Sequence, residues 1–90
     1  MGRQDFIGKF YYFMENSTGM LPFVQAVYMR LLYEWMIEGN EWSVIDLRTF
    51  AYAIGEHGQK ALGNAIMTLL QRGFIRRKVI DKNTIEVKIQ

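Results

Sequence analysis

Residues 46–75 read DLRTFAYAIGEHGQKALGNAIMTLLQRGFI, and the reading of this stretch decides the fold. Asp46 stands where an N-cap belongs, ahead of Leu47, Phe50, Ala51 and Ile54, whose offsets of 0, +3, +4 and +7 draw one apolar face of a short helix. Gly55 to Gly58 predicts a tight turn. From about Gln59 onward, Leu62, Ala65, Ile66, Leu69 and Leu70 recur with helical period until Gly73 supplies the stop. Two helices separated by a glycine-flanked turn are therefore expected over 46–73.

Working downstream, Phe74 to Asp81 and Thr84 to Ile89 are rich in β-formers and are separated only by Lys82 and Asn83. A two-residue connection whose Asn tolerates positive φ predicts a hairpin over 74–89. Upstream, Glu41 to Ile45 fits a short strand. Pro22 to Glu38 fits a helix, with proline in its first turn and Gly39-Asn40 as its stop. Val24, Val27, Tyr28, Leu31 and Trp35 form one face of that helix, and Met29, Tyr33, Met36 and Ile37 form a second. The polar residues reduce to the line Arg30, Glu34, Glu38, which helix-surface pairing explains. A helix apolar on two sides needs a cover, and the N-terminal extension over 1–19 offers one: seven of the nine residues from Phe6 to Met14 are apolar. Phe6, Phe10, Phe13 and Met14 fit helical spacing, but so short and aromatic a run also fits an extended segment.

Length and composition bound the rest. Ninety residues make one domain, 1–90, which buries about 60–65% of its unfolded surface. Half of them are apolar, so the chain folds. There is no cysteine and one histidine, which removes disulfides, thiolate metal sites and cysteine nucleophiles, and leaves no expected cofactor or metal. His57, in the inter-helix turn, reads as a solvent-facing polar residue, and no nucleophile–base–orienter set can be assembled, so no enzyme and no small-molecule substrate are expected. With no signal core and no apolar run of membrane length, a cytoplasmic protein is expected.

The net charge of +2 is unevenly divided. Residues 1–45 hold three bases and five acids, giving −2, whereas residues 46–90 hold eight bases and four acids, giving +4. Such a division predicts a polyanion-facing surface on the second half.

Helix, short strand, short helix, turn, longer helix and hairpin follow the order of a winged helix-turn-helix domain, an α+β fold. Leu47, Phe50, Ala51, Ile54-Gly55, Leu62, Ile66, Leu69 and the step Gly73-Phe74-Ile75 carry the resemblance. The aromatic N-terminal segment and the helix containing Ala26-Val27-Tyr28-Met29-Arg30-Leu31-Leu32 resemble the N-terminal domains of phage and plasmid replication proteins of the DnaD-like and replisome-organiser kind. The resemblance implies a three-helix core with a C-terminal wing, a double-stranded DNA partner and a role in replication or transcription control.

In such a domain the second helix of the motif enters the major groove and the wing grips the backbone. Gln59, Lys60 and Asn64, with Thr68 further along, are then the base-reading candidates, since Gln and Asn suit adenine and Lys suits guanine. Gly63, on the same outer face, is costly in a helix by about 1 kcal/mol and fits either close backbone approach or plain tolerance. Arg72, Arg76, Arg77, Lys78 and Lys82 place five bases within eleven residues and are the phosphate candidates. Strand alternation puts Arg76 and Lys78 on one face and Arg77 on the other, and the same cations also guard an exposed edge against pairing. The alternative reading is a protein-interaction module. Either way, the two-sided apolar character of the N-terminal half predicts a homodimer through Phe6, Phe10, Phe13, Met29, Tyr33, Met36 and Ile37.

Overall fold

The computed structural model describes residues 3–39, 41–55 and 58–90. In chain order these form α1 (Arg3–Asn16), α2 (Pro22–Glu38), β1 (Ser43–Asp46), α3 (Leu47–Ala53), α4 (Gly58–Gln71), β2 (Ile75–Asp81) and β3 (Thr84–Ile89). The strands make one antiparallel sheet in the order β1-β3-β2. Among the described residues the fold is therefore α+β, with four helices and a three-stranded sheet.

Pro22 opens α2, where a missing N–H costs nothing, and Gly39 closes it at φ 70°, its N–H donating to the Trp35 carbonyl at 3.1 Å. The run from Phe6 to Met14, open between helix and strand on sequence, is helical and belongs to α1. Helical period turns Phe6, Phe10 and Phe13 toward α2. Phe13 lies face to face on Tyr28 at 3.9 Å between ring centroids, and Phe74 meets both rings edge-on at 4.9 and 5.8 Å. Phe13 is completely buried, so it cannot belong to the association surface expected of it; Phe6 and Phe10 are half-buried against the same core. Lys9 lies over the Trp35 ring at 5.3 Å while Phe13 sits on Tyr28, so α1 runs antiparallel to α2.

β1 sits slightly later than its expected span because Ser43 to Asp46 pair with Val87 to Thr84. Ile45, Ile75, Ile85, Val87 and Ile89 face the helices and are buried with Leu31, Leu62, Ile66 and Leu69. The hairpin forms as expected, but its turn works differently. No described non-glycine residue has positive φ, so Asn83 does not use the left-handed conformation expected of it. Instead the Asp81 carboxylate accepts from the Asn83 N–H at 2.8 Å, and the register slips between Val79 and Asp81. A side chain that closes its own turn makes the left-handed residue unnecessary.

Candidate nucleic-acid interface

α3 is set by its cap. The Asp46 carboxylate accepts from the N–H groups of Arg48 and Thr49 at 3.0 and 3.1 Å. Phe50 and Ala51 then point into the core, and Arg48 and Tyr52, one turn apart, point out. Tyr52 is 90% exposed. In α4, Leu62, Ala65, Ile66 and Leu69 face inward, leaving Gln59, Lys60, Gly63, Asn64 and Gln71 on the exposed side. Thr68 is half-buried, and its hydroxyl donates to the Asn64 carbonyl at 3.1 Å, so its polar group already serves its own helix. A Cβ on Gly63 would meet no atom within 4 Å, so nothing within the described protein requires glycine there.

The two helices meet in an open groove lined by Arg48, Ala51, Tyr52, Gly55, Gly58 and Gln59. The hairpin turn reaches the start of α3 as well: the Leu47 N–H donates to the Asn83 carbonyl at 2.8 Å, which brings the turn carrying Lys82 beside the first turn of α3. Among the described residues, Arg48, Tyr52, Gln59, Lys60 and Lys82 have no side-chain hydrogen bond or ion pair. The nearby acids Asp46 and Asp81 are occupied by backbone N–H groups. The result is a run of donors without side-chain partners among the described residues, from the hairpin turn, across α3, to the start of α4.

The other basic candidates lie elsewhere. Arg72 turns back to the α1–α2 connection, donating from Nη2 to the Asn16 carbonyl at 2.8 Å and from Nη1 to the Thr18 carbonyl at 3.5 Å, above the Phe74 ring. Arg76 and Lys78 stand across from Lys88 and Glu86 on the outer face of the sheet, and Arg77 stands across from Val87 on the inner face, as alternation requires. The Lys78 ammonium sits 4.1 Å above the Trp42 ring, and Lys88 pairs with Glu41 at 2.6 Å. The Lys88 hydrogen bond and charge, with Lys78 adding to them, hold the Glu41 carboxyl below the usual range. On the outer sheet face Lys88 is thus neutralised by Glu41, whereas Lys78 rests on a ring and Arg76 has no hydrogen-bond or ion-pair partner among the described residues.

Arg48 and Tyr52 were not singled out on sequence. Their signal was present, since both fall off the Leu47–Phe50–Ala51–Ile54 stripe and four residues apart, which places them together on the open face of α3. His57 lies outside the described residues, as does Asn40. Among the described residues no three His, Asp or Glu side chains stand together as a metal site would need, and no helix is long and apolar enough to cross a membrane. Of the residues expected at an association surface, Met29 and Met36 are half-buried, whereas Tyr33 and Ile37 are exposed. Comparison of the chain with protein-family models, with curated proteins and with solved structures finds no match in any of the three.

Proposed function

We propose that the chain is a winged-helix module that binds double-stranded DNA, of the kind used by phage and plasmid replication or transcription-control proteins. The observation that carries this reading is the path of unpaired donors formed by Lys82, Arg48, Gln59 and Lys60, which joins the hairpin turn to the first turn of α4. The element order from α2 to β3 and the sheet order β1-β3-β2 support it. In this reading α4 enters the major groove by its N-terminal end, where Gln59, Lys60 and Asn64 meet base edges. Lys82 and Arg48 neutralise phosphates on either side. Arg76, Arg77 and Lys78 add to the positive field that steers DNA inward, and Arg72 holds the α1–α2 connection in place.

Titration of the full chain against a labelled duplex at two or more salt concentrations tests it. Binding is expected without metal or nucleotide, and Arg48→Ala with Lys82→Ala lowers affinity for every sequence while reducing the salt slope by roughly 0.9 per lost phosphate contact. Asn64→Ala lowers only the preference for a selected site, by about 1–3 kcal/mol per lost base contact. No duplex binding at low salt, or an unchanged slope in the double variant, overturns the reading.

A further inference from the structure

β2 is an edge strand, and the direction of each of its backbone groups follows from the register. In an antiparallel ladder only directly opposite residues exchange N–H···O=C bonds, and only every second pair does so. The Gln90 N–H donates to the Phe74 carbonyl at 3.0 Å, so these two residues form one such pair. Counting along the register from them, Arg76 bonds to Lys88 and Lys78 to Glu86, whereas Ile75, Arg77 and Val79 turn their N–H and C=O groups away from β3. The other ladder agrees. The Leu47 N–H donates to the Asn83 carbonyl, which by the same count assigns Ile85 and Val87 to β1 and leaves Glu86 and Lys88 for β2. In the sheet order β1-β3-β2 no strand lies beyond β2, and Arg77 and Val79 have no backbone partner among the described residues. Ile75 is buried and Arg77 half-buried, but the strand then comes to the surface, with Val79 65% and Ile80 54% exposed.

We infer that this edge takes an extended acidic segment of a partner protein as a fourth, antiparallel strand, held by the outward N–H and C=O groups of Arg77 and Val79. Charge selects the occupant. Arg76 on the outer face and Arg77 on the inner face have no hydrogen-bond or ion-pair partner among the described residues. The nearby acids do not cancel them: Asp81 holds the Asn83 N–H, Glu41 holds Lys88, and Glu86 stands on β3, on the side of β2 away from the open edge. Lys78 leans over Trp42, toward the β1 side of the sheet. Directly opposite side chains lie about 5 Å apart, so a strand with acids opposite Arg77 and Arg76 and an apolar residue opposite Val79 matches the edge. A second copy does not match. Pairing β2 with itself about Arg77 sets that residue against its own copy and Arg76 against Lys78, and like charges directly opposite are destabilising. The cations that guard the edge against its own kind thus favour an acidic strand. A phosphate backbone meets the guanidinium groups but offers no donor to the Arg77 and Val79 carbonyls. The register slip after Val79 ends the pairing at Ile80. The inference does not rest on the DNA reading, whose test uses Arg48 and Lys82, outside this edge.

The test uses the full chain and a fluorescent peptide of about ten residues with Val-Thr-Glu-Glu at its centre and Thr and Ser elsewhere. The peptide is expected to bind at low salt with a Kd on the order of 100 µM or below. N-methylation of its Val and first Glu, whose N–H groups face β2, lowers affinity by about tenfold or more, whereas N-methylation of its Thr and second Glu, which face away, does not. Arg77→Glu weakens binding by roughly tenfold while leaving the cooperative melt in place. In the free chain the Arg76 and Lys78 amides exchange slowly and those of Arg77 and Val79 quickly, and the peptide slows only the second pair. No binding up to about 1 mM peptide overturns the inference. Equal losses from the two methylated peptides, unchanged affinity in folded Arg77→Glu, or Arg77 and Val79 amides already protected in the free chain overturn it too.

Discussion

On the α1–α2 side of the molecule, Phe13 lies flat on Tyr28 and Phe74 closes the cluster edge-on, whereas on the α3–α4 side Tyr52 stands 90% exposed beside Arg48 with no ring of the described residues against it. The polar groups divide in the same way. Arg72 and Lys9 are tied to backbone carbonyls of distant segments, while Arg48, Lys60 and Lys82 are tied to nothing among the described residues. One region uses its aromatic and cationic side chains to hold the chain together; the other keeps the same residue types free. The lesson is that residue type alone does not separate a structural cation or ring from a binding one. Engagement by the rest of the fold does.

The largest effect should follow from opening the aromatic cluster. Phe13→Ala removes a fully buried ring with two ring contacts, and such truncations cost about 3–5 kcal/mol. A small domain has only about 5–15 kcal/mol in total, so the variant is expected to lose much of its urea midpoint. Tyr52→Ala, by contrast, should stay within roughly 0.5 kcal/mol of the parent. Comparable losses at the two positions would erase the distinction between the regions.

A second effect sharpens the comparison through pH. Burial pushes the Tyr28 phenol from its ordinary 10.0 up to about 12. Between those values the unfolded chain releases a proton that the folded chain keeps, so the unfolded state binds fewer protons and stability falls as pH rises. The loss begins near pH 10, is complete near pH 12, and amounts to on the order of 2 kcal/mol for this nearly inaccessible group. Urea unfolding at pH 8 and pH 11.5 should show a steep alkaline decline in the parent and a shallower one in Tyr28→Phe. Equal declines would mean that the buried phenol carries none of the alkaline sensitivity.

The same division explains what was legible in the sequence. The faces of α2 and α4 follow from apolar spacing, and Asp46 was readable as a cap because capping is local. α1 was readable only in part: Phe6, Phe10, Phe13 and Met14 fit helical spacing, but the run fitted an extended segment as well. A segment apolar nearly all round does not say which of its lines faces inward, so the Phe6–Phe10–Phe13 line could be read as a surface until α2 covered it. Arg72 looked like its neighbours Arg76 and Arg77, and only contacts to Asn16 and Thr18, more than fifty residues away, set it apart. The hairpin turn was found for a reason that proved incomplete, because the Asp81 side chain does what a left-handed Asn83 was expected to do. At the candidate interface, Gln59, Lys60 and Asn64 were legible as the polar side of a strongly amphipathic helix. Arg48 and Tyr52 belong to a seven-residue helix in which the eye follows the core stripe.

The smallest predicted effect lies where the two regions join. Asp46 ends β1 opposite Thr84 and begins α3, so its carboxylate couples the sheet to the helix that presents Arg48 and Tyr52. Asp46→Ala removes both hydrogen bonds to the first turn of α3, and loss of an N-cap costs about 1 kcal/mol. α3 has only seven residues, too few to be stable by its own propensity, and it holds its place through Phe50, Ala51 and this cap. The expected melt is therefore lowered by a few degrees with the cooperative transition retained. Amide exchange should separate local from global loosening: faster exchange confined to Arg48 and Thr49, with α1 and α2 unchanged, would show that the exposed region opens independently of the aromatic cluster. Asp46→Asn keeps a capping oxygen and should restore most of the loss. Uniformly faster exchange across α1 to α4 in Asp46→Ala would instead make the two regions a single cooperative unit, and the contrast between them would then describe their chemistry alone.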